Sequence, residues 1–178
     1  MGESKAQNFN HLKIHSQYSI CEGAIKIDDL KKFTKEKKIS SIAICDTSNL
    51  CGALEFAEKI SKSGTQPIIG TQINFKFGNI IGLIPLFALN QKGYKRIIEL
   101  SSSSFLNNDL AEPHLDFSEL LNNNEGVSLF SGTIFGLFGQ LFNSGKLDDI
   151  EELYSKLKAK YQDRFYIEIQ RHGDQNEI

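Results

Sequence analysis

The sequence predicts an α/β protein in which strands alternate with helices, and three observations carry that expectation. The stretch Ser41 to Gly70, SIAICDTSNLCGALEFAEKISKSGTQPIIG, reads strand, polar turn, helix, turn, strand, which is a βαβ unit. Apolar runs and helical spacings then alternate through most of the chain. Finally, the 178 residues fall short of the roughly 250 that a complete (β/α)8 barrel takes, and the chain stops just after a strand. The expected fold is therefore a barrel-like α/β layout, incomplete at its C-terminus.

In chain order, MGESKAQNFN is a polar leader (residues 1–10), expected to be disordered, and the domain occupies 11–178. His11 to His15 alternates in the strand manner, with Lys13 and His15 on one face, and Ser16 to Ser19 follows as a loop. Asp28 can cap a helix through Lys38 whose apolar face is Leu30 and Phe33, with Ile27 as a candidate third member. Its lysines 31, 32, 35, 37 and 38 read either as a nucleic-acid patch or as a solvated helix face; the usual placement of charge on such helices favours the second.

In the central unit Ile42 to Cys45 is a buried strand ending at Asp46, Ala53 to Ile60 has helical spacing, and Gly64 stops the helix. Thr71 to Phe77 and Ile80 to Leu89 read as a hairpin turning at Gly78-Asn79, where Pro85 either weakens the second strand or puts it at an edge. Asn90 caps a helix through Leu100, and Ser101 to Pro113 reads as a loop. Asp116 caps a short helix ending near Asn122, Asn124-Glu125-Gly126 turns, and Val127 to Ser131 is a strand. The Gly- and Phe-rich stretch to Asn143 is ambiguous. Lys146 to Lys160 is helical, and Phe165 to Gln170 is the last strand.

A net charge of -2 and pI near 6.1 give no global attraction to nucleic acid, so any such contact is local or made by another domain. Three cysteines without metal-type spacing suit reduced thiols in the cytoplasm. No apolar run reaches the about 20 residues of a membrane span, and the N-terminus lacks a signal-peptide core. There is no Gly-x-x-x-x-Gly-Lys-Ser/Thr loop and no Gly-x-Gly-x-x-Gly. Cys45 beside Asp46 reads as a core thiol, and Glu55 as support for its helix.

Strand ends in such a fold form the working rim. Collected there are Lys13, His15, Asp46, Thr47, Gln72, Thr133 and His172, with Glu22 in the first loop. A di- or trinuclear metal centre needs many converging His and carboxylate donors. Only His15, Glu22, Asp46 and His172 could serve, enough for one weak site at most. Polar residues hydrogen-bonded or solvated at a barrel mouth are the competing account.

Five ordered blocks resemble the PHP (polymerase and histidinol phosphatase) family, in the form found at the N-terminus of bacterial DNA polymerase III alpha subunits. They are HLKIHSQYSICEGAIKI, AICDTSNLCGALEFAEKISKSGTQPIIG, NQKGYKRIIELSS, EGVSLFSG and DRFYIEIQRHG, spanning His11 to Gly173. The resemblance implies a distorted seven-stranded (β/α)7 barrel. Its metal-binding members carry a His-x-His pair, an Asp-His pair, a Gly-x-Glu turn and a Cys or His after a later strand. Here those positions read Lys13-Ile14-His15, Asp46-Thr47, Gly70-Thr71-Gln72 and Ser131-Gly132-Thr133. The resemblance thus implies a degenerate rim with no catalytic residue and no resident metal, a single ion at His15 and Asp46 included. It implies a platform for the polymerase domains, whose nucleotidyl transfer would use Mg2+ elsewhere, and a docking surface for a proofreading exonuclease subunit. DNA would be met only through the parent protein. The rival reading is an active metal-dependent phosphoesterase or a proofreading exonuclease.

Overall fold

A computed structural model describes residues 9–106 and 112–171. His172 and most of the leader lie outside the described residues. The order of elements is α1 (Ile27–Lys37), β1 (Ser41–Thr47), α2 (Ala53–Ser61), β2 (Gln66–Phe77), β3 (Ile80–Ala88), α3 (Gln91–Leu106), β4 (Leu115–Asp116), α4 (Ser118–Leu121), β5 (Val127–Phe130), α5 (Leu137–Asn143), α6 (Leu147–Tyr161) and β6 (Phe165–Tyr166). The chain forms two compact units, one running to Thr71 and one starting at Gln72.

In the first unit β1 neighbours β2, and α1 packs on α2. Its core is Ile27, Leu30, Ile42, Ile44, Phe56 and Ile60, to which Ile14, Tyr18, Ile39 and Ile69 add partly buried surface. These residues recur every three or four positions on the helices and form a run on β1, which is why the βαβ pattern was legible. Gly64 takes φ 80° at the turn between α2 and β2, a conformation other residues adopt at a cost.

The expected strand over His11–His15 is not regular. His11 O accepts from Ala43 N and Ile14 O from Cys45 N, each at 2.8 Å. Between these bonds two residues, Leu12 and Lys13, stand against one on β1, Ile44, so an extra residue interrupts the ladder. Nor does Asp28 cap α1. The N-cap is Lys26, without a side-chain bond, and Asp28 and Asp29 occupy the first turn, where carboxylates favour the helix dipole.

In the second unit β2 neighbours β3 across the Gly78-Asn79 turn, β3 runs antiparallel to β5, β5 parallel to β6, and β4 parallel to β2. The sheet is therefore mixed. Pro85 is not on an edge strand, because β3 has neighbours on both sides. The β5 ladder starts at Leu86, one residue past the proline that cannot donate to it. Asn90 caps α3 as expected, its Oδ1 accepting from Gly93 N at 3.0 Å. That helix runs six residues beyond Leu100, since Leu100 and Ser104 continue its buried face. Residues 101–106 are thus helical rather than loop. The ambiguous Phe-rich stretch contains α5, and only Phe165–Tyr166 of the last predicted strand is regular. Among the described residues no helix is long and apolar enough to cross a membrane.

Candidate functional site at the end of the first strand

Asp46 is the penultimate residue of β1 and is 2% exposed. A buried carboxylate needs hydrogen-bond donors, and the first loop supplies them. Ser16 N donates to Oδ1 at 2.6 Å and Ser16 Oγ to Oδ2 at 2.8 Å. Ser19 Oγ donates to Oδ1 at 3.0 Å and accepts from Thr47 N at 2.9 Å. Thr71 Oγ1 donates to the Asp46 carbonyl at 2.6 Å, tying β1 to β2. Both serines are fully buried.

The loop is shaped to make these contacts. Ser19 N and Gly23 N return to Ser16 O and Ser19 O, and Gln17 N bonds Ile25 O, closing it on itself. Gly23 is required by close approach: a Cβ there would lie 2.1 Å from Ser16 O and 2.7 Å from His15 O. Nearer to solvent, Thr47 Oγ1 donates to Glu22 Oε2, and His15 Nδ1 stands 3.7 Å from the same oxygen. Asn49 Nδ2 donates to the carbonyls of Tyr18 and Thr47, at 3.0 and 2.9 Å.

A second network extends from this loop across both helices. Tyr18 OH donates to Glu55 Oε2 at 2.6 Å, and Lys59 Nζ contacts Glu55 Oε1 and Asp28 Oδ1, each at 2.8 Å. The Lys59 and Tyr18 donors hold the Glu55 carboxyl below its usual range. Glu55, with some loss of hydration, raises the Tyr18 phenol. Lys59 lowers Asp28 and is itself raised by its two carboxylates. Glu55 therefore bridges loop to helix rather than only supporting its own helix.

Of the rim residues read from the sequence, the structure brings together His15, Glu22, Asp46 and Thr47. Lys13 lies half-buried in the extended segment before His15. Gln72 and Thr133 belong to the second unit, and His172 is outside the described residues. Sequence reasoning missed Ser16, Ser19, Tyr18 and Thr71. Their only signal was two serines three apart in the loop after an apolar segment, a pattern found in many turns. Cys45 is buried in the core, as read.

The profile of the PHP domain matches residues 11–172. The chain belongs to the PHP domain family. Among curated relatives, the DNA polymerase III subunit alpha of Caulobacter vibrioides is 34% identical over 187 residues, covering 97% of this chain and 16% of that protein. The same subunit from Borreliella burgdorferi is 34% identical, covering 93% and 15%. This PHP chain thus spans about a sixth of the length of the curated relatives it matches. An amidohydrolase structure from Chromobacterium violaceum aligns with TM-score 0.41 at 13% identity, over 82% of this chain and 54% of that one.

Proposed function

We propose that this PHP domain is part of a replicative DNA polymerase alpha subunit, acting in the cytoplasm without chemistry of its own. In this reading it is a distorted barrel that buttresses the polymerase domains and offers a docking surface to a proofreading exonuclease subunit. Nucleotidyl transfer, with its Mg2+, would belong to other parts of the parent protein. Kinship with polymerase alpha subunits supports the setting.

The observation that carries the inactive reading is the closure of Asp46 by serines. A metal-binding carboxylate must turn a lone pair outward to the ion. Here both oxygens of Asp46 accept from donors of the first loop, one of them a backbone amide that cannot rotate away. The neighbouring position is Thr47, whose hydroxyl is committed to Glu22. His15 Nδ1 lies beside Glu22 and 3.5 Å from Ser19 Oγ. These residues do not fit a two- or three-ion centre.

The test is turnover. The purified chain is incubated with bis-p-nitrophenyl phosphate and with a 3′-labelled primer, each with Mn2+ or Zn2+ and with EDTA. No EDTA-sensitive product is expected. Co-elution with the purified exonuclease subunit from the same source is expected. EDTA-sensitive cleavage of either substrate would replace this reading with the metal-dependent phosphoesterase.

A further inference from the structure

We draw no further inference here: the strongest candidate, the surface patch of exposed apolar side chains around α5 made by Ile134, Phe135, Phe142 and Leu147, carries none because nothing in the structure shows what covers it.

Discussion

Ser16 holds both oxygens of Asp46, its amide on Oδ1 at 2.6 Å and its hydroxyl on Oδ2 at 2.8 Å. One residue of the first loop thus gives a donor to each oxygen of a carboxylate at the end of β1, and Ser19 adds a third. In a buried setting each such bond to a charged acceptor contributes about 1.5–3 kcal/mol, and an orphaned donor costs a comparable amount. Asp46→Ala should therefore lose roughly 3 kcal/mol or more of stability, measured by urea unfolding. Asp46→Asn keeps one acceptor but turns an NH2 towards hydrogen-bond donors, and should fall between that variant and the parent. An Asp46→Ala chain as stable as its parent would show that the bonds are worth no more than those to water.

The engagement of both oxygens of Asp46 by these donors predicts indifference to metal. A ligand that binds only the folded chain raises stability by about 2.7 kcal/mol at a hundred times its dissociation constant. The melting temperature should not move with Mn2+, Zn2+ or EDTA, and elemental analysis should find no stoichiometric ion. Two or more ions bound per chain, or a rise of several degrees on adding Mn2+, would refute it.

Gly23 sets a limit on the loop itself. An added Cβ would meet two backbone oxygens, of Ser16 and His15, at 2.1 and 2.7 Å, and backbone has no rotamer by which to yield. Gly23→Ala should cost roughly 1–3 kcal/mol, the range for overpacking. It should also loosen Asp46, because Ser16 is the residue that would be pushed. Hydrogen exchange at the Ser16 amide reads this directly: faster exchange is expected, and unchanged protection would mean that the loop relaxes elsewhere.

The contrast between the βαβ unit and this loop shows what the sequence could disclose. Ile42 to Cys45 and the spacing of Ala53, Phe56 and Ile60 each announce a periodicity, and periodicity follows from burial on one face. His11 to His15 also alternates, yet its pairing with β1 sets two residues, Leu12 and Lys13, against Ile44 alone, a feature of register that one strand alone does not encode. Pro85 signals a weakened strand or an edge; β3 is not at an edge, and the missing donor is accommodated by starting the β5 ladder one residue later. Ser101 to Ser104 read as loop because serines favour turns. In the structure Ser104 returns its hydroxyl to Ser101 O at 2.8 Å and stays in the helix. At the site, Asp46 and Glu22 stood out as titratable residues. Ser16 and Ser19 did not, since a hydroxyl acquires its role from a partner about thirty residues away.

Stability should depend on pH through the Tyr18–Glu55–Lys59–Asp28 network. Glu55 and Asp28 have carboxyls lowered in the folded chain, from ordinary values of 4.5 and 3.8. A lowered acid contributes stability that is present above its unfolded pKa and is lost as pH falls through the folded one. Tyr18 is raised from 10.0, and Lys59 from 10.5. A raised group contributes stability that is present below its unfolded pKa and is lost as pH rises through the folded one. The network therefore stabilises fully between about pH 4.5 and 10 and weakens on both sides. Tyr18→Phe removes the phenol donor, so the melting temperature should drop within that window. The gap from the parent should then narrow above pH 10, where the parent loses the same bond. Glu55→Gln should instead narrow its gap on the acid side, below pH 4.5. Melting temperatures recorded from pH 3 to 11 check both. A gap between Tyr18→Phe and parent that stays constant through pH 10 to 11 would show that the Tyr18–Glu55 bond carries none of the pH dependence.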